Sequence, residues 1–342
     1  MKLYRKGESE TIANDGSVIA VSNNADYIYW LNEENTLYVS DKKGEKEKIS
    51  ADVENGIILN QDYTEILFHS GGNTYISKKG ESKETVAKDA AAIPVVLYDL
   101  VLNQGYLSLN ENFTIAPVKS LLNRAYFIDN SLYYVDKNLE KSKISAMENN
   151  TYFQIRGNNI YYIKGSSLYR AELKADSSSE KITSDVQSFE ACKKNDLVFY
   201  LNDDDELWRT DSTGKGKKIA DKVKDYKISD NGQYAYVLDS NDCLILLFNQ
   251  KETRIALDVQ KFNISSDGKS LAYIEDGYSD NGNLYFATAG EKGKKVESDV
   301  TGMTLSEDGT ELLYTTEDGK LVIVKTYNGF EKITKFKYLS DK

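Results

Sequence analysis

The chain has one histidine, two cysteines, two prolines and three methionines among 342 residues. Each scarcity excludes something. A Ser–His–Asp device would have to be built on His69, which closes the apolar run ILFHSGG, where a packed structural side chain is the expectation. Zinc needs closely spaced cysteine and histidine, so Cys192 and Cys243 read as two separate free thiols rather than a disulfide framework or a ligand set. TGKGKK lacks the glycine and Ser/Thr spacing of a phosphate loop, and no dinucleotide fingerprint occurs, so no cofactor and no metal is called for. A net charge of −11 argues against nucleic acid, whose phosphates require a basic surface. No stretch approaches the ~18 apolar residues of a membrane-spanning helix, so no membrane insertion by this segment is expected.

What is abundant points to strands. Tyrosine (25) and phenylalanine (11) favour pleated structure, and near-absence of proline lets many strands keep their amide donors. A 40% apolar share with 28% charged residues suits a shape with much surface rather than one large core. Length alone would allow two domains, but repetition overrides length. ISDNGQYAYV (228–237) returns as ISSDGKSLAYI (264–274) and as TLSEDGTELLYT (304–315).

The apolar residue of a recurring Leu-Tyr-like pair anchors the repeat at Leu37, Thr74, Leu132, Leu168, Leu207, Leu244, Leu284 and Leu321, with Leu3 before them. Each interval carries four short apolar runs separated by Asp-Gly or Asn-Gly turn chemistry, and their clustering does not fit a helical period. The Ser-x-Asp-Gly phrase is read as the turn between the first and second strands of a unit. Four antiparallel strands every ~40 residues is the pattern of a propeller blade, whose faces are buried only by its neighbours. The predicted fold is an all-β, single β-propeller domain over 1–342, with eight blades and with both termini contributing to one closing blade.

The phrase Ser-x-Asp-Gly-x-x-x-x-Tyr followed by Leu-Tyr, as in Ser265–Tyr273 with Leu284–Tyr285 and Ser306–Tyr314 with Leu321, resembles the TolB-like propeller repeats. The Lys/Gly-rich hairpins and the Lys218–Val223 ending resemble uncharacterised propeller proteins of Gram-positive bacteria, many of them membrane-anchored. That resemblance spans essentially the whole chain and implies a fold rather than an activity; it carries over no catalytic residue. The opening MKLYRKGE reads as the middle of a repeat, which suggests a segment of a longer protein. A membrane-anchored parent would place it outside the cytoplasm, the cytoplasm being the alternative. Residues 91–122 depart from the repeat and are read as an insertion on the face carrying the second-to-third strand loops, either braced against the fold or presenting an apolar docking patch.

Meander topology puts the second-to-third strand loops and the blade-to-blade links on one face. Those loops hold fourteen carboxylates against the single base Lys164, while lysines crowd the third-to-fourth hairpins, where they discourage edge pairing. Turn chemistry explains many of these acids, yet gathered on one face they would steer a cationic partner. Candidate contact residues are Glu33, Glu34, Tyr98, Asp99, Asp203, Asp204, Asp205, Glu275, Asp276, Tyr278 and Asp280. NDDDE at 202–206 lacks the alternation of a calcium loop. Trp30, Trp208, Tyr98 and Tyr278 could stack on sugars, although Trp208 reads as buried. The functional expectation is a non-catalytic, monomeric recognition or scaffold propeller binding a protein, peptide or glycan. A hydrolase or lyase with axial carboxylates is the alternative.

Overall fold

In the computed structural model, which describes residues 2–5, 8–11, 15–41, 43–54, 56–97, 113–147, 152–211, 214–276, 281–326 and 331–337, all eight anchors fall at the start of a third strand. The first sheet orders Ser17–Val21, Ile28–Leu31, Leu37–Ser40 and Lys46–Ser50. The second orders Ile57–Asn60, Glu65–Ser70, Asn73–Lys78 and Glu84–Ala87; the third, Ala92–Pro94, Arg124–Ile128, Ser131–Val135 and Lys141–Ala146. The fourth has Phe153–Arg156, Asn159–Lys164, Ser167–Glu172 and Glu180–Thr183; the fifth, Val186–Ala191, Val198–Asn202, Leu207–Thr210 and Gly216–Ala220. The sixth has Val223–Ile228, Tyr234–Asp239, Leu244–Phe248 and Lys251–Ala256. The seventh, Val259–Ile264, Ser270–Glu275, Gly282–Thr288 and Lys294–Leu305, shares its last strand with the eighth. Glu311–Thr316, Lys320–Lys325 and Glu331–Lys337 complete that eighth meander. Lys2–Arg5 and Glu8–Thr11 pair with each other. The fold is all-β, a β-propeller of four-stranded antiparallel blades.

Anchor burial explains the repeat. Seven of the eight anchors are fully buried, at 0% exposure, and Leu321 is half-buried. Thr74 replaces leucine because its site is polar: its hydroxyl donates to Ala90 O (2.9 Å) and accepts from Ala92 N (2.8 Å). One hydroxyl carries one proton, so His69 Nδ1, 2.9 Å away, is the donor in their contact. Burial lowers the His69 pKa, with Glu54 opposing, and the ring is a neutral structural group.

The chain forms two compact units, residues 1–160 with 171–180, and residues 161–170 with 181–342. In the first, sheets one and two bury Tyr29, Leu37, Leu59 and Phe68 between them, and sheets two and three bury Leu67, Ile76, Tyr126 and Val135. In the second, Tyr161 and Leu168 pack on Phe189 and Val198 of sheet five. Sheet five then packs on six through Phe199 and Val237, six on seven through Tyr236 and Tyr273, and seven on eight through Leu284 and Tyr314.

The Ser-x-Asp-Gly box does two jobs. The hydroxyls of Ser229, Ser265 and Ser306 accept the amides of Tyr234, Ser270 and Glu311 and donate to Asn231, Asp267 and Asp308. Gly232, Gly268 and Gly309 close these turns with φ of +67°, +74° and +71°. Each of these glycines also lies against the preceding sheet, meeting Phe199, Tyr234 and Ser270 respectively. Successive first turns are tied through the backbone, Lys194 N to Asp230 O (3.0 Å), Asp230 N to Ser266 O (2.8 Å) and Ser266 N to Glu307 O (2.7 Å).

These boxes titrate. Burial works to raise the Asp267 pKa, but hydrogen bonds from the Lys269 amide and the Ser265 hydroxyl outweigh it and hold the carboxyl below its ordinary 3.8. At Asp308 the Ser306 and Thr310 hydroxyls act the same way. A folded-state pKa below the unfolded value stabilises fully above the unfolded value and is lost as pH falls through the folded one. Stability is therefore expected to decline as pH drops below about 4. Asp308→Asn, which keeps the acceptor oxygen, should flatten that decline in melting temperature measured against pH.

Cross-strand aromatic pairs stack between second and third strands, Trp30 on Tyr38 (4.4 Å) and Tyr273 on Tyr285 (5.3 Å) among them. Lysines at the start of fourth strands or just before them cover some of these rings: Lys46 Nζ lies 5.8 Å from the centroid of Trp30, and Lys83 Nζ 4.1 Å from that of Tyr75. The edge lysines thus shield aromatic faces in addition to guarding edges.

Residues 91–122 differ from expectation. Ala92–Pro94 is the first strand of sheet three, so the segment joins first to second strand and leaves the sheet at the end opposite its Asp129–Asn130 turn. AAIPVVLYDL reads as one apolar run, which hides where the short strand stops. On returning, Phe113–Ala116 pairs in parallel with Ile57–Asn60. Asn60 Nδ2 donates to Lys119 O (2.7 Å), and the Glu65 carboxylate accepts the Ser120 hydroxyl (2.9 Å) and the Leu121 amide. Val95, Leu97, Val118, Leu121 and Leu122 are buried, so the described flanks of the segment are a brace.

Candidate functional site

The loops joining second to third strands are built by side-chain-capped turns. Asn32 Oδ1 accepts the amides of Glu34 and Thr36, Asn202 Oδ1 those of Asp204 and Glu206, and Asp239 Oδ1 those of Asn241 and Cys243. Asn35, Asp205, Asp242 and Asp276 then take left-handed φ of 54–65°, which Asn and Asp tolerate. Local turn chemistry therefore accounts for a share of the acids.

A second repeated device fixes how neighbouring loops meet. Asp185, Lys222, Asp258 and Asp299 each adopt a left-handed φ of 54–59° just before a buried valine, at Val186, Val223, Val259 and Val300. The corner turns the chain so that this part of each link reaches the adjacent loop: Val223 N donates to Asp205 O (2.8 Å) and Val259 N to Asp242 O (3.0 Å). Asp276 N and Glu317 N donate back to Asp258 O (3.2 Å) and Asp299 O (2.8 Å). Within the second unit, the loops at 203–206, 239–243 and 317–319, with Asp276 and Asn281 between the last two, consequently form one row.

Their charges are less one-sided than the loop sequences imply. Lys218 Nζ bridges Glu206 (3.0 Å) and Asp221 (2.7 Å), Lys224 pairs with Asp242 (2.6 Å), and Lys320 pairs with Asp318. Hydrogen bonds from Lys218, Trp208 and Asn202 hold the Glu206 carboxyl below its usual range. Asp203, Asp204 and Asp205 are exposed and carry no ion pair among the described residues. Burial and the neighbouring Asp276 push the Glu275 pKa up against a hydrogen bond from Tyr285, and Asn283 donates to Asp276. Of the sequence-selected residues, the structure brings Asp203, Asp204, Asp205, Glu275 and Asp276 onto this row. Glu33 and Glu34 are exposed on the corresponding loop of sheet one, in the first unit. Tyr98, Asp99, Tyr278 and Asp280 lie outside the described residues.

At the eighth sheet the row opens into a cavity of about 440 Å³ lined by Glu297, Asp299, Thr316, Glu317, Asp318 and Lys320. The Tyr314 hydroxyl donates to Glu297 (3.2 Å), and burial pushes its own pKa up to about 12. Glu297 and Asp299 were missed in the sequence because they belong to the strand Lys294–Leu305 rather than to a loop. Among the described residues no group of three or more Asp, Glu, His or Cys side chains could hold a metal ion. Trp30 is buried and donates to Ser40 Oγ (3.0 Å). Trp208 is half-buried rather than buried, stacked on Tyr200 with its indole N–H on Glu206 (3.0 Å). Cys192 and Cys243 are buried free thiols.

No protein-family model matches the chain, and no curated protein matches it. Solved structures do resemble it. Kluyveromyces lactis Hsv2p aligns at 14% identity and TM-score 0.43 over 83% of this chain and 99% of that one. A eukaryotic initiation factor aligns at 10% identity and TM-score 0.45 over 95% and 90%. The tricorn protease aligns at 13% identity and TM-score 0.34, over 97% of this chain and 45% of its own. Likeness at this level bears on neither ligand nor activity; the sheets described above carry the fold.

Proposed function

We propose that this chain is a non-catalytic recognition or scaffold propeller whose row of acidic loops receives a cationic segment of a protein or peptide. Residues 1–342 would form one eight-bladed propeller of TolB-like type, acting outside the cytoplasm of a bacterium. The carrying observation is the main-chain stitching of successive loops in the second unit, which holds Asp203, Asp204, Asp205 and Asp276 along one edge that ends in a carboxylate-lined cavity. A fixed field of one sign raises the encounter rate of an opposite charge and falls off with salt. Carboxylates offer only acceptors, which suits ammonium and guanidinium donors better than the mixed donors and acceptors of a neutral polysaccharide.

The test is titration with a lysine-rich peptide at low and physiological ionic strength. The triple change D203N/D204N/D205N is expected to weaken binding about tenfold at low salt and to reduce the salt dependence, on the order of 0.5 kcal/mol per exposed charge. Binding that ignores both the substitutions and the salt would overturn the proposal.

A further inference from the structure

Where first-to-second and third-to-fourth turns of the second unit project, sheets five and six line a cleft of about 400 Å³. That volume lies in the range of small-molecule sites. We propose that this cleft binds a saccharide carrying a carboxylate on its ring. The inference is independent of the acidic row, because the cleft has the opposite electrostatic character.

Three observations select that ligand. The floor is apolar: half-buried Leu197, Ile219 and Leu247, lying over the buried Phe199 and Ala235, offer a surface for the C–H face of a sugar ring. The rim carries Arg209 and Lys217, exposed cations with no carboxylate partner among the described residues, against Glu252 as the one lining carboxylate; the third lining cation, Lys218, is already paired with Glu206 and Asp221. In a chain of net charge −11 this local balance is a reversal, and it suits one acidic group on the ligand.

The remaining rim positions are carboxamides. Asn231 is occupied by its turn, donating to Gln233 Oε1 (3.1 Å) and accepting from the Gln233 amide (3.0 Å). That leaves Gln233 Nε2, and the whole carboxamides of Asn249 and Gln250, facing the opening. A carboxamide both donates and accepts in one plane, as vicinal hydroxyls do, whereas a peptide would more often seek a strand edge.

The backbone adds a further sign. Asn249 and Gln250 both have positive φ, 50° and 62°, in the two-residue turn of the sixth sheet. Glycine is usual in the second place of such a turn, and Gly44, Gly80, Gly214 and Gly290 hold left-handed positions in the third turns of sheets one, two, five and seven. Sheet three uses Leu139, which packs against its core, but Gln250 is exposed and gains no such burial. A long polar side chain at a strained, unburied position fits a contact with something outside the chain.

The full chain should be titrated calorimetrically with digalacturonate and, for comparison, with neutral galactobiose and the dipeptide Asp-Asp. Digalacturonate is expected to bind at least tenfold more tightly than either. The R209Q/K217Q variant should erase the preference over galactobiose. Q250G should weaken digalacturonate binding about tenfold while its melting temperature stays level or rises, a combination that a damaged fold would not give. D203N/D204N/D205N should leave this binding intact, which separates the cleft from the acidic row. Absence of digalacturonate binding at millimolar concentration, equal binding of galactobiose or Asp-Asp, or unchanged binding by Q250G would each overturn the assignment.

Discussion

Replacing Gly268 with alanine is expected to destabilise the protein severely, whereas the same change at Gly290 should be mild. Both glycines have positive φ, +74° and +83°, so both alanines incur the left-handed penalty of ~1–2 kcal/mol. The difference is steric. A Cβ on Gly268 would fall 2.6 Å from Tyr234 Cβ and 2.9 Å from Ser229 Cβ, whereas one on Gly290 meets nothing within 4 Å. Tyr234 Cβ is attached to backbone and cannot swing aside, so sheets six and seven would have to separate, adding ~1–3 kcal/mol or more. Urea midpoints of the two variants decide it. Equal loss at both positions would mean that Gly268 is there for its turn alone.

The second large effect is expected at Tyr236, on the other side of the same contact. Its ring is completely buried among Leu244, Leu246 and Phe262, and its hydroxyl donates to Gly268 O across the two sheets (2.9 Å). Burial drives its pKa far above the usual tyrosine range, so the hydroxyl stays a donor at every working pH. Truncation to alanine should cost about 3–5 kcal/mol through lost burial and a cavity. Tyr236→Phe removes only the hydrogen bond and leaves a buried carbonyl without that donor, costing ~1–3 kcal/mol. Tyr29 makes the same contact from sheet one to Tyr63 O (3.0 Å), and Tyr29→Phe should match Tyr236→Phe in size. Thermal midpoints of the three variants test the order, and a phenylalanine as damaging as alanine would refute the division between packing and hydrogen bond.

The repeat itself was legible because it is local. Anchor leucines start third strands and Ser-x-Asp-Gly closes first turns; each is set by residues within six positions of one another. What the sequence concealed depends on distance along the chain. The glycine of the first turn looks like a turn residue, and only the fold shows Gly268 pressed against Tyr234 of the sheet before it. The acidic loops look nearly uncompensated, yet Lys218 and Lys224 come to Glu206 and Asp242 from neighbouring strands. A brace was one of the two readings of 91–122, but how it is made was hidden, since a parallel strand against Ile57–Asn60 leaves no mark in a repeat of antiparallel meanders. The cleft beside Gln250 draws its lining from two repeats, and no stretch of either announces it.

The twelve-residue strand Lys294–Leu305 serves both the seventh and the eighth sheets. Because Val300, just past the Asp299 corner, pairs with Gly282 of the seventh sheet and Thr316 of the eighth, the pair of sheets should open as a single cooperative block, with amides of Ala272 and Leu313 exchanging their protons at matched rates. It also makes this junction a poor place to cut or circularly permute the chain, since a nick there severs two meanders together.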